Sequence, residues 1–322
     1  MTGESLITTR FDATSTATDV VSGMHLPGRH AIVTGASSGI GAQTALALAA
    51  TGAAVTLAVR NVEAGRAVAE RIAATTGQLR PQVRALDLAD LTSVSSFLAQ
   101  VDSPVDILVD NAGIVTEGLE RTPQGWELQF ATNHLGHFAL TLGLHPQLAA
   151  AAAARGGSRV VVLSSTAHMR APVDFADIHF NDRAYDPQIA YAQSKTANSL
   201  FAVKASRRWQ GDGIVANAVN PGGVATGLQR NFSVAQRASL DAAEAAGVFS
   251  YKTVDQGAAT TLVAAVAPEF AHVGGRYLDD GREAYTVPND ATLAEHPHGV
   301  KQWALDTAAA DELWRRSLQM TG

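Results

Sequence analysis

The chain has 322 residues, 46% hydrophobic and 17% charged, ordinary proportions for a folded protein with a sizeable core. A net charge of −6 with no run of Lys or Arg argues against a nucleic-acid partner, and the absence of cysteine excludes disulfides and thiolate chemistry. No apolar stretch reaches the roughly 18 residues of a membrane span, and the N-terminus has no apolar core of signal-peptide type, so a soluble cytoplasmic protein without membrane partners is expected.

Residues 1–24, opening MTGESLITTRFDATSTATD, read as a Thr/Ser-rich extension that is partly disordered. Strand and helix patterns alternate from there on. HAIVTG (30–35) is a short apolar run ending in Gly, and GAQTALALAATG (41–52) a helix with a Gly stop. AAVTLAVR (53–60) is a second strand, and 62–77 has helical periodicity. QVRALDL (82–88) is a third strand, followed by a helix over 90–101 that opens on an Asp cap. VDILVDNAG (105–113) is a fourth strand and 125–151 one long helical region. SRVVVLSS (158–165) is a fifth strand, 188–209 a helix, and GIVANAVNPG (213–222) a sixth strand. A helix over 255–267 and a last strand, GGRYLDD (274–280), complete the series.

Strands rich in Val, Ile, Leu and Ala, with little polar alternation, suit a parallel sheet covered on both faces. The repeated βα units predict a doubly wound, mostly parallel seven-stranded α/β sheet of Rossmann type, with helices on both faces. No internal stretch reads as a linker, so residues 25–322 are expected to form a single domain.

The first strand-to-helix turn reads TGASSGIG, with glycines at 35, 39 and 41. Glycine opens backbone conformations closed to other residues and lets the main chain approach a pyrophosphate. The helix N-terminus then offers free N–H groups and a positive dipole end. This predicts a dinucleotide cradle at Gly35, Ser37, Ser38, Gly39, Ile40 and Gly41. The second strand ends in Val59, Arg60 and Asn61, with no carboxylate to bond a ribose 2′-hydroxyl. Arginine can instead pair a 2′-phosphate through two parallel N–H bonds. NADP(H) is therefore expected over NAD(H), with Arg60 and Asn61 among the contacts.

In AYAQSKTANSLF (190–201), Tyr191 precedes Lys195 by four residues. Residues i and i+4 share a helix face, so both side chains can act on one small volume. A neighbouring ammonium stabilises phenolate and is expected to lower the tyrosine pKa, making the phenol a proton donor or acceptor near operating pH. Taken alone the pair is a weak signal, since such spacing more often marks a solvated helix face.

TGASSGIG, the NAG at 111–113, the serine of VVVLSS, YAQSK and NPGGVAT follow one another in the order of the short-chain dehydrogenase/reductase family, which the chain resembles from about residue 28 to 280. The stretches SKTANSLF and VRN and the tail AADELWRRSLQMTG resemble its retinol dehydrogenase and protochlorophyllide reductase branch. The resemblance implies Tyr191 as general acid/base, Lys195 as its tuning charge and ribose ligand, and Ser165, rather than Ser164, as the group polarising a substrate carbonyl. It also implies Asn133 as holder of a relay water. Asp87 and Leu88, then Asn111, Ala112 and Gly113, would lie along the adenosine. Pro221, Gly222, Val224 and Thr226 would face the nicotinamide. The segment between Ser165 and Tyr191 is longer than the family's usual separation and is expected to form part of the cleft wall.

Residues 223–257 interrupt the sheet pattern directly after the nicotinamide contacts and suit a substrate lid. Leu228, Phe232, Val248 and Phe249 in it hint at a hydrophobic substrate. His134 and His137, and His296 and His298, lack a metal-binding pattern with a carboxylate, so no metal is expected. The expected activity is hydride transfer between NADP(H) and a small carbonyl or a primary or secondary alcohol, as in a ketoreductase. Reduction of a C=C bond, epimerisation or dehydration on the same scaffold, or a non-enzymatic NADP-binding regulator, are the alternatives. A homodimer or tetramer is plausible from the resemblance, and a monomer stays open.

Overall fold

A computed structural model describes residues 5–225, 238, 244 and 251–322 of the chain. Among these, helix α1 (Ala17–Val21) precedes strand β1 (His30–Thr34), α2 (Gly39–Ala50), β2 (Ala54–Val59), α3 (Val62–Thr76), β3 (Gln82–Ala85), α4 (Leu91–Leu98) and β4 (Ile107–Asp110). Then come α5 (Leu128–Phe130), a π-helical turn (Ala131–Leu135), α6 (Gly136–Gly143), α7 (His145–Arg155), β5 (Ser158–Leu163), α8 (Pro187–Trp209) and β6 (Ile214–Asn220). The last elements are α9 (Val254–Val266), β7 (Tyr277–Asp279), β8 (Arg282–Glu283), β9 (Thr286–Val287), β10 (Val300–Lys301) and α10 (Thr307–Thr321).

One sheet runs in the order β3-β2-β1-β4-β5-β6-β7-β8. Every pair from β3 to β7 is parallel; β7 and β8 are antiparallel. The chain therefore starts in mid-sheet at β1, builds outward to β3, and returns to build β4–β7 on the other side. The architecture is the doubly wound α/β domain that the alternating apolar runs imply, with eight strands rather than seven. The eighth was missed because it is two residues long and follows a tight turn at Asp280 and Gly281, both at positive φ.

Two apolar layers sandwich the sheet. On one side α1, α2 and α9 pack through Ala17, Val20, Leu48, Leu262 and Val263. On the other, α4, α6 and α8 pack through Phe97, Phe138, Phe201 and Trp209, closed by Trp314 of α10. The long helical region over 125–151 is in fact broken. A π turn interrupts it at Ala131–Leu135, and it restarts at His145, with Pro146 in the first turn of α7. Residues 5–24 lie against the body: Ile7 N–H donates to Glu283, Thr9 to the Gly281 carbonyl, and α1 packs on α9.

Candidate active site

The chain's return from β3 to β4, on the other side of β1, leaves the carboxyl ends of β1 and β4 uncovered, which is where doubly wound sheets open a crevice. Here it is a cleft of about 400 Å³ running from Arg60 past the Gly35–Gly41 loop to Tyr191, Lys195 and Pro221. Two glycines shape its floor. Gly35 has φ +66°, and a Cβ there would lie 2.8 Å from Ala112 Cα. A Cβ on Gly41 would overlap the Asn111 side-chain amide. Ser38 caps α2 with extended backbone and no side-chain bond, so the first-turn N–H groups of α2 have no side-chain acceptor.

Arg60 is exposed on the cleft rim, and its guanidinium makes no hydrogen bond or ion pair to a described residue. Asn61 borders the cleft while its Oδ1 accepts from Ala64 N–H at 3.0 Å, capping α3. Asp87 Oδ1 accepts from Ala89 N–H at 3.0 Å in an Asx turn, and Leu88 is buried beside it. Asn111 donates through Nδ2 to the Thr34 carbonyl at 2.7 Å, bracing the end of β4 against β1. Gly113 closes this wall next to Asn133 and Lys195.

Tyr191 and Lys195 share one face of α8, which starts at an Asp186 cap followed by Pro187. Lys195 Nζ lies 5.6 Å from the centre of the Tyr191 ring and donates to the Leu163 carbonyl at 3.0 Å. The Ser165 side chain stands close enough to the phenol to act on its ionisation, while its Oγ accepts from Ala167 N–H at 3.1 Å. Ser164, its neighbour, turns the other way: its hydroxyl donates to the Lys195 carbonyl at 2.9 Å and accepts from Ser199 at 3.0 Å. The phenol pKa departs from the sequence expectation. Burial pushes it up to about 12, and Ser165 is the influence acting to lower it. Burial also holds the Lys195 ammonium down at about 8. Desolvation is the leading cause for both groups.

Asn133 sits in the π turn with its side chain fully engaged. Its Oδ1 accepts from Ile114 N–H at 2.8 Å, and its Nδ2 donates to Ile114 O and Ser194 Oγ. Pro221 borders the cleft, whereas the Val224 side chain packs under α9 at Gly257, next to Ile40. Thr226 lies outside the described residues, as do Leu228, Phe232, Val248 and Phe249 and most of the expected lid.

Several participants were not picked out from sequence. Ile114, Val115 and Thr132 line the cleft, and Thr34 organises its rear. The His134/His137 pair divides between two tasks: His134 bonds Ser317 of α10 at 2.8 Å, and His137 bonds Asn133 and Thr34. His298 meets two carboxylates in space, Asp279 at 3.0 Å and Asp280 at 3.2 Å, both remote from it in the sequence. Asn220 and Lys252 hold the other oxygens of that cluster, so it is internally paired. The long segment after Ser165 is pinned through Tyr185, whose hydroxyl bonds Glu127, Gln129 and Thr116.

Comparison with known proteins gives this geometry a context. Residues 29–237 match the family model described as short chain dehydrogenase. A Streptomyces antibioticus protein named "Probable oxidoreductase" is 47% identical over 90% of this chain and 97% of its own. Human retinol dehydrogenase 13 is 37% identical over 92% of this chain and 86% of its own. Among solved structures, an uncharacterized protein of Mycobacterium paratuberculosis superposes with a TM-score of 0.72 at 33% identity, covering 96% of this chain and 97% of that one. The Pseudomonas aeruginosa RhlG/NADP active-site complex does so with a TM-score of 0.64 at 27% identity, covering 80% and 96%.

Proposed function

The chain belongs to the short chain dehydrogenase family of oxidoreductases, and from that premise we propose that it reduces a small hydrophobic carbonyl with NADPH, Tyr191 donating the proton. The observation that carries this reading is the Tyr191–Lys195 pair, with Ser165 acting on the phenol, at one end of a cleft whose other end is Arg60. When bound, the nicotinamide supplies the hydride.

The residues fit the group. Gly35 and Gly41 leave room that a Cβ would fill, and the open first turn of α2 suits a pyrophosphate. Arg60, with no described partner, suits a 2′-phosphate. NADP in the Pseudomonas aeruginosa neighbour supports the same choice. Ser165 donates a hydrogen bond to the substrate oxygen, and Tyr191 delivers its proton to that oxygen as charge develops. Lys195 stabilises the phenolate left behind, and the Asn133 carbonyl holds the water through which the proton is replaced. A phenol held near 12 keeps its proton at neutral pH, as the proton donor of a reduction must. The name of human retinol dehydrogenase 13 supports an alcohol or aldehyde of apolar character.

The test is a carbonyl and alcohol panel run with NADPH and NADH in parallel, on the wild-type chain and on Tyr191→Phe. NADPH should be preferred, and the variant should lose at least about 100-fold in kcat while still binding NADPH. A preference for NADH removes the Arg60 argument, and full turnover by Tyr191→Phe removes the mechanism.

A further inference from the structure

His137 has no part in the scheme above, yet it stands where two halves of the cleft join. It lies on α6, 1% exposed. Its Nδ1 is 2.9 Å from the Asn133 carbonyl oxygen and its Nε2 is 2.9 Å from Thr34 Oγ1. A carbonyl can only accept, so Nδ1 carries the hydrogen and Nε2 is an acceptor; the Thr34 hydroxyl, whose other acceptor is the Val109 carbonyl at 3.3 Å, donates to Nε2 at the shorter distance. Thr34 Oγ1 in turn accepts from the N–H groups of Asn111 at 2.9 Å and Ala112 at 3.0 Å. Burial first, then the Lys195 charge, hold the imidazole down at about 4, so this neutral pattern persists at working pH.

We infer that His137 is a positioning residue that sets the Asn133 carbonyl for the proton relay and, through Thr34, the Asn111–Ala112 loop for the cofactor. The inference rests on the proposed reduction for the first half only. The two ends act on different quantities: the carbonyl end governs proton replacement and hence kcat, and the Thr34 end governs the wall against which NADPH binds. The neighbouring His134 is equally buried, but its Nε2 turns to the C-terminal helix. Burial alone therefore does not assign the role; the two bonds of His137 do.

Asn and Gln separate the ends, because an Asn amide nitrogen falls where Nδ1 stands and a Gln amide group where Nε2 stands. His137→Asn keeps the Asn133 bond and drops Thr34; His137→Gln does the reverse. NADPH Kd is read by fluorescence titration of the full chain, kcat at saturating NADPH with a carbonyl from the panel, and Tm alongside. His137→Gln should lose about tenfold or more in kcat, with a smaller loss of affinity. His137→Asn should weaken NADPH about tenfold, with a smaller loss in kcat. Thr34→Val should follow the His137→Asn pattern, and it replaces that variant if the latter does not fold. A crossed pattern supports the inference. Parallel losses that track Tm, or no loss in either variant, overturn it. If the wild-type chain reduces no carbonyl, the proposed function fails and the affinity measurement decides alone: weaker NADPH binding in His137→Asn than in His137→Gln supports the Thr34 half, and equal binding overturns it.

Discussion

Tyr191 and Lys195 are displaced by burial to about 12 and about 8, and the two titrate in different parts of the pH range. Reduction needs the phenol protonated and the ammonium charged, and both conditions hold below about 8. The kcat of carbonyl reduction should therefore be level from pH 6 to 7.5 and fall as pH rises through about 8, as Lys195 loses its charge. A pH profile at saturating substrate checks this, and a rate that climbs through pH 9 contradicts it. The Tyr–Lys pair was legible in the sequence because helix geometry is local: four residues make one turn. Ser165 was preferred to Ser164 from the resemblance alone, and the fold adds that the Ser164 hydroxyl turns to the Lys195 carbonyl, as neighbouring residues at a strand end point to opposite sides. The partnership of His137 with Thr34 was not legible at all. These residues are 103 positions apart and meet only because β1 lies beside β4 and under α6.

The elements that could be read from sequence are those with strong local patterns. The apolar runs of β1, β2, β4, β5 and β6 stand out because both faces of the sheet are covered. The two-residue strands β8, β9 and β10 carry no periodicity to read. Helix α10 was not assigned because its apolar stripe of Ala310, Leu313 and Trp314 has meaning only against α6 and α8, where Trp314 stacks on Phe201 and meets Phe138 and Trp209 edge-on. The π turn is equally remote from local propensity. Directly after it α6 is pressed onto the loop that follows β3: a Cβ on Gly136 would collide with the Leu88 carbonyl. Gly136→Ala should thus cost about 1–3 kcal/mol of stability by overpacking and should weaken NADPH binding, since Leu88 borders the cleft. Gly118→Ala, where an added Cβ meets nothing within 4 Å, should change neither by a comparable amount. Thermal melts and NADPH titration of both variants check this. Equal melts for the two would show that α6 can move away from Leu88 at no cost.

At the scale of the whole molecule, buried ionisable groups set a pH window for stability, and the signs can be worked through. Burial holds His134 at about 3 and His137 and His168 at about 4. Unfolded, each titrates near 6.5, so their contribution is present above 6.5 and lost as pH falls towards 4. Asp110 works in the opposite sense. It is fully buried at the end of β4, accepts one hydrogen bond from Thr141, has no partner for Oδ1, and is pushed by burial up to about 8. Its contribution is present below the unfolded value of 3.8 and is lost as pH rises towards 8, at roughly 1.4 kcal/mol per pH unit. Glu127, raised by burial, acts in the same sense above 4.5, and His298, raised by its bond to Asp279, adds to the decline above 6.5. Lys195, lowered by burial, alters the slope only above about 8. Three histidines outweigh one carboxyl below pH 6.5, and among the described residues their offset to Asp110 fades as pH rises from 6.5 to 8. Stability should peak near the histidine value of about 6.5 and decline on both sides. Asp110→Asn keeps an acceptor for Thr141 and removes the proton linkage, so it should flatten the decline between pH 6.5 and 8 and leave the acid side steep. Denaturant melts of both chains at pH 5, 6.5 and 8 test it. If the variant shows the wild-type loss from 6.5 to 8, Asp110 is ionised in the folded chain and the assignment fails.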